Sequence, residues 1–136
     1  MSRNLPVDAG RIAGDIEALS AITEKDRPWT RRAFSATFLE GRSFLRRRMQ
    51  EAGLETRIDA AGNLIGRRPG HGGRRGTIML GSHSDTVPDG GRFDGIAGVV
   101  AALEVARALA DNRIVLDHDL EVVDFLAEEV SPFGVS

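Results

Sequence analysis

The run Thr77-Ile78-Met79-Leu80-Gly81, then a long glycine-bearing loop, then Gly95 to Leu109, and finally Leu120-Glu121-Val122-Val123-Asp124-Phe125-Leu126 decide the fold. Thr77 to Leu80 is a continuous apolar run bounded by Gly76 and Gly81, the pattern of a strand buried on both faces. Gly95 to Leu109 is apolar nearly all round, which predicts a buried helix. After an Asp-Asn turn the second run reads as another strand, so the order strand, loop, helix, loop, strand predicts a βαβ unit with parallel strands.

Working outward, Asp8 is placed to cap a helix whose apolar stripe is Ile12, Ile16 and Leu19. A second helix starts near Ser35 or Thr37, turns Phe38, Leu45, Met49 and Ala52 inward, and stops at Gly53. Glu55 to Asp59 and Asn63 to Arg67 read as two short strands across an Ala60-Ala61-Gly62 turn, and His71-Gly72-Gly73 as a loop with a solvated histidine. Eleven of the sixteen glycines fall between Gly62 and Gly98, so the middle of the chain is where the backbone turns tightly.

The 136 residues allow one domain, and 41% hydrophobic against 28% charged residues excludes a disordered chain. No window approaches the ~20 apolar residues of a bilayer-spanning helix, and Met1 to Gly10 lacks a secretory pattern, so a cytoplasmic protein without membrane contact is expected. With no cysteine there is no thiolate site, and any metal must be held by His, Asp or Glu. Residues 1–75 carry 15 basic and 9 acidic side chains, whereas residues 76–136 carry 3 and 11. Arg46-Arg47-Arg48 lies in a helical pattern, and Arg67-Arg68 and Arg74-Arg75 flank a glycine-rich turn with almost no aromatics interleaved. These arginines read as solvated faces rather than a nucleic-acid stripe. The acidic half, with His83 and His118, is the pool from which metal ligands can be drawn.

In open α/β sheets the ligand site lies outside the carboxyl ends of the strands. Gly81-Ser82-His83-Ser84-Asp85-Thr86 ends the first strand, Asp94 immediately precedes the helix, and Ala127-Glu128-Glu129 ends the second strand. Neighbouring strands lie about 4.8 Å apart, which brings His83 and the glutamate pair within one coordination sphere if the strands are adjacent. An imidazole with carboxylates suits zinc, manganese, cobalt or nickel, and a carboxylate shared by two ions is the usual bridge of a two-metal hydrolase. One glutamate would then coordinate while the other takes a proton from metal-activated water. Asp85 is placed to hold the His83 ring in its ligating tautomer. Singly each residue has a plainer reading: His83 as a hydrogen-bonded loop residue, Asp94 as a helix N-cap, the glutamates as exposed. His118 precedes the second strand, at the opposite end, and reads as structural or solvated.

Gly81 to Gly95, followed by Ile96-Ala97-Gly98-Val99, resembles the signature of the hydantoinase/carbamoylase amidases of the M20 metallopeptidase-like superfamily. Glu51-Ala52-Gly53-Leu54 through Asp59-Ala60-Ala61-Gly62-Asn63-Leu64-Ile65-Gly66 is similar to the segment that precedes the metal motif in those enzymes. Gly91-Arg92-Phe93-Asp94-Gly95 is similar to the amidase rather than the peptidase branch, and after the glutamate pair Val130-Ser131-Pro132-Phe133 keeps Ser131 and Phe133 of the usual Gly-Ser-Arg-Phe. The resemblance implies that His83 is a ligand of one metal, Asp94 bridges two, Glu129 is a ligand of the second, Glu128 is the general base, and Asp85 orients the imidazole from behind. It implies two divalent ions (Zn, Mn, Co or Ni) and hydrolysis of a linear C–N bond in an N-carbamoyl amino acid, allantoate or a similar ureido compound.

The expected architecture is an α/β fold, residues 1–136 forming the N-terminal part of an M20-type catalytic domain with a mostly parallel sheet and flanking helices. Family members are longer and supply two more histidines, a substrate-binding arginine and a small dimerising domain, so this chain alone is not expected to turn over substrate, and a homodimer is expected of a full-length form. The alternative from a different class is a noncatalytic remnant that binds metal weakly or pairs with a partner through its open sheet edge. A nucleotide-binding βαβ unit would rest on Gly91, Gly95 and Gly98, whose spacing is not G-x-G-x-x-G.

Overall fold

The computed structural model describes residues 4–72 and 76–131. Gly73, Arg74, Arg75, Pro132 and Phe133, which the sequence singled out, lie outside the described residues. The element order is α1 (Ala9–Ala21), α2 (Ala36–Glu51), β1 (Glu55–Ile58), β2 (Leu64–Arg68), β3 (Thr77–His83), α3 (Ile96–Asp111) and β4 (Asp119–Phe125). Both early helices start where the capping residues predict. Asp8 Oδ1 accepts from the amides of Gly10 at 2.8 Å and Arg11 at 3.0 Å, and Ser35 Oγ from that of Phe38 at 3.1 Å.

The four strands form one sheet in the order β1-β2-β4-β3. The βαβ unit is present: β3 and β4 pair in parallel, with His83 opposite Phe125, and α3 packs across both. The parallel character is confined to that pair. β1 pairs with β2 and β2 with β4 antiparallel, so the sheet is mixed rather than mostly parallel. A short turn between β1 and β2 can only make a hairpin, and a hairpin is antiparallel.

One core cluster joins Leu19 of α1, Leu45 and Met49 of α2, Val99 and Leu103 of α3, Leu64 of β2 and Val122 of β4. α2 covers β1 and β2, α3 covers β3 and β4, and α1 packs on α3. Strand alternation turns Ile65 and its register partner Val123 to the other face, where the ion pairs Arg57–Glu121 (3.0 Å) and Arg67–Asp119 (2.6 Å) also lie.

β3 corrects the expectation of a strand buried on both faces. It is an edge strand of the described sheet, and Ile78 and Met79 are 40% and 51% exposed. A run of apolar residues reports the chemistry of a strand but not whether a neighbour is present to cover it. Among the described residues no helix is long and apolar enough to cross a membrane.

Candidate metal centre

His83 is the last residue of β3, Asp94 lies in the loop before α3, and Glu128 and Glu129 follow β4 by one turn. Parallel pairing of β3 with β4 opens both carboxyl ends on one edge, and the start of α3 is delivered to the same place. His83, Asp94 and Glu129 each offer one ligand atom within 4.8 Å of the others. Asp94 is therefore not spent as a cap: Gly95 holds the N-cap position of α3 with no side-chain hydrogen bond. Gly95 has φ +64°, and a Cβ there would lie 2.5 Å from His83 Nδ1. Only glycine lets the helix start this close to the imidazole.

Asp85 organises the rest. Its carboxylate is almost fully buried and accepts from the backbone amides of Glu128 at 3.3 Å and Glu129 at 3.0 Å, so one side chain from the β3 loop fixes the turn after β4. His83 Nδ1 faces the Asp85 carbonyl at 3.0 Å and its carboxylate at 3.6 Å, while Nε2 lies 3.4 Å from Glu128 Oε2. The expected Asp85–His83 partnership is present, with the main-chain carbonyl the nearer of the two oxygens. Burial works to raise Asp85, but His83 and the two glutamate amides hold its carboxyl below the usual range.

Charge is concentrated here. The Asp85 carboxylate, against the opposing effect of burial, raises His83 to about 9, and Glu128 adds to the effect. Glu129 is pushed up, first by the neighbouring Asp94 carboxylate and then by burial. Carboxylates turned towards one another beside an imidazole are the field a cation would relieve, and this donor set suits a divalent ion of the zinc, manganese, cobalt or nickel kind. The residues present therefore fit a metal.

Glu128 stands at the rim, its side chain 57% exposed, outside the His83–Asp94–Glu129 group but within 3.4 Å of His83 Nε2. The Glu pair sits on a turn in which Ala127, almost fully buried, has φ +52°, a left-handed conformation that a non-glycine residue adopts at a cost. His118 immediately precedes β4, at the end of the strand remote from the cluster, and His71 is exposed.

Three supports escaped the sequence reading. Asn63 Oδ1 accepts from the Leu126 amide at 2.9 Å, pinning the glutamate turn to the β1–β2 hairpin. Asp124 is fully buried and accepts from Ser84 Oγ at 2.9 Å and Arg42 Nε at 3.0 Å; burial raises its carboxyl. Arg31 is 1% exposed and donates to the Ser84 carbonyl at 2.8 Å. Asparagine after a turn glycine is a usable sequence signal, whereas nothing in the sequence marks Arg31 or Asp124 as interior.

Fold and site together define an α/β unit with a His/Asp/Glu cluster able to hold a metal on its carboxyl edge. Comparison with known proteins agrees: the model of Peptidase family M28 matches residues 63–136, and the chain belongs to that family, with relatives among the hydantoinase/carbamoylase amidases. The matching model bears the M28 name, where the motif suggested M20. An N-carbamoyl-L-amino-acid amidohydrolase of Pseudomonas sp. (strain NS671) is 38% identical over 97% of this chain and 32% of its own length. A ureidoglycolate hydrolase of Oryza sativa subsp. japonica is 34% identical over 96% of this chain and 27% of its own. The crystal structure of a hydantoinase/carbamoylase family amidase from Burkholderia ambifaria superposes with a TM-score of 0.87 at 38% identity, covering 92% of this chain and 31% of that one. The chain thus spans about a third of the length of the relatives it matches.

Proposed function

We propose that this chain carries one metal-binding edge and the general base of a metal-dependent amidohydrolase that cleaves a linear amide or ureido C–N bond. The observation that carries the reading is the convergence of His83, Asp94 and Glu129 within 4.8 Å, with the Glu128 carboxylate exposed beside them. The relatives' names support the substrate class: N-carbamoyl-L-amino acids, allantoate and ureidoglycolate.

His83 and Glu129 would each hold a metal ion, and Asp94 would be the carboxylate that two ions share. Divalent ions bound there supply Lewis-acid polarisation of the scissile carbonyl and lower the pKa of water towards ~7. Glu128 takes the proton of the attacking water and delivers it to the leaving nitrogen as the C–N bond breaks. Asp85 holds the His83 ring and the two glutamate amides in register through both steps.

The test is release of ammonia or amino acid from N-carbamoyl amino acids, allantoate and ureidoglycolate by the protein at the length its own gene encodes. Turnover should vanish on chelation and return with Zn, Mn, Co or Ni, and Glu128→Gln should lower it about 10²–10⁴-fold with metal still bound. Turnover that survives chelation, or that persists undiminished in Glu128→Gln, overturns the reading.

A further inference from the structure

Gly41 lies inside α2 and is buried, although glycine weakens a helix interior relative to alanine. Its neighbour supplies the reason. A Cβ at Gly41 would lie 2.7 Å from Cδ and 3.1 Å from Nε of Arg31. The arginine stem occupies the space that any side chain at position 41 would need.

Arg31 is held from both ends. Its Nη1 donates to the carbonyls of Leu19 at 2.8 Å and Ile22 at 2.6 Å, at the C-terminus of α1, where a cation also meets the negative end of the helix dipole. Its Nε donates to the Ser84 carbonyl at 2.8 Å. Its main chain is engaged with the same loop: the Arg31 amide donates to Thr86 Oγ1 at 2.7 Å, and the Thr86 amide donates to the Arg31 carbonyl at 3.0 Å. Thr30 Oγ1 extends the brace by accepting from the Asp89 amide at 2.8 Å. The residues gripped, Ser84 and Thr86, flank Asp85, and Ser84 also follows His83 directly.

A cap for α1 would need only the two α1 carbonyls. The reach to Ser84 and the double contact with Thr86 add nothing to that helix. Burial lowers the guanidinium to about 10, opposed by Asp124 and Asp85, so it stays charged at neutral pH.

We propose that Arg31, seated by Gly41, is a positioning residue of the metal centre: by clamping Ser84 and Thr86 to the end of α1 it fixes the loop from which His83 and Asp85 meet Asp94 and Glu129. The inference rests on the metal-hydrolase reading given above.

The test is a Co²⁺ titration of the gene-length protein, reading affinity and the visible absorption of the bound ion, alongside thermal unfolding of the chelated protein. Partners behind a ligand typically contribute 10–100-fold in metal affinity. Arg31→Met should weaken Co²⁺ binding by about that factor and shift the spectrum. Arg31→Lys should recover part of the loss, because an ammonium reaches some of the same carbonyls without the planar fork. Gly41→Ala keeps every hydrogen-bonding group and improves helix propensity, yet should also weaken binding by displacing a stem fixed at both ends. A core variant remote from the loop, Leu103→Ala, destabilises the fold but should retain parental Co²⁺ affinity. Parental affinity and spectrum in Arg31→Met and Gly41→Ala, or losses no larger than those of Leu103→Ala, overturn the proposal while the metal reading stands. A parent protein that binds no Co²⁺ overturns both.

Discussion

Asp85 is the residue on which the site turns. A buried carboxylate is tolerated only with partners, and its two oxygens accept from the Glu128 and Glu129 amides while facing His83. Asp85→Asn keeps the shape but turns an NH₂ towards one of those amides, setting donor against donor. Co²⁺ affinity should fall about 10–100-fold, as for other groups that orient a ligand; a titration at parental affinity would remove Asp85 from the centre's support. The candidate ligands were brought to notice by the sequence because their spacing matches the carboxyl ends of a βαβ unit, where chemistry is expected, and the structure gathers them there. Arg31 was not, since an arginine beside Arg27 and Arg32 carries the signature of a solvated segment, and its burial depends on Gly41, which lies on another element, α2. Asp124 was hidden in the same way, as one polar residue in a strand whose partner Ser84 comes from a distant loop.

At the scale of elements, α1 and α2 were read well because each signals itself locally through a cap and a stripe, as Asp8 and Ser35 show, whereas α3 signals itself by an apolar run long enough for a buried helix. Strand type was read from the same local pattern, but strand burial depends on neighbours, and β3 is the element where the two part company. The sheet's outer face carries a charge device that links elements. Asp119 of β4 accepts from the Gly70 amide at 2.9 Å and from Arg67 of β2 at 2.6 Å, and these, in that order, hold its carboxyl below the usual range. A carboxyl lowered in the folded state stabilises the fold above its unfolded pKa of about 4, and that contribution disappears as pH falls through the lower, folded value. Asp119→Asn should therefore be less stable than the parent at pH 7, with the gap closing below about pH 4; urea midpoints at several pH values check this, and a gap that is constant or widens in acid contradicts it. The core offers a larger effect. Leu103 is fully buried between α3 and its neighbours, and Leu103→Ala should cost about 2–5 kcal/mol in chemical unfolding through lost burial and the cavity left behind.

Across the whole molecule, helices cover one face of the sheet, charged pairs cover much of the other, and β3 is the longer of the two strands left at an edge of the described sheet. Ile78 and Met79 on that strand, and Phe125 at the end of β4, are 40%, 51% and 38% exposed. The edge also presents backbone N–H and C=O groups along seven residues of strand. An edge of this kind, without a lysine or proline of its own, is a template for pairing with another strand. In the 136-residue chain the predicted consequence is self-association that rises with concentration. Met79→Lys places a charge on the exposed side of the edge strand, where it need not be desolvated in the monomer but must be in a paired form. Light scattering across a concentration series should show a smaller associated fraction for Met79→Lys, with unfolding free energy changed by no more than about 0.5 kcal/mol, as for an ordinary surface substitution. Equal association in parent and variant would mean that the contact lies elsewhere than β3.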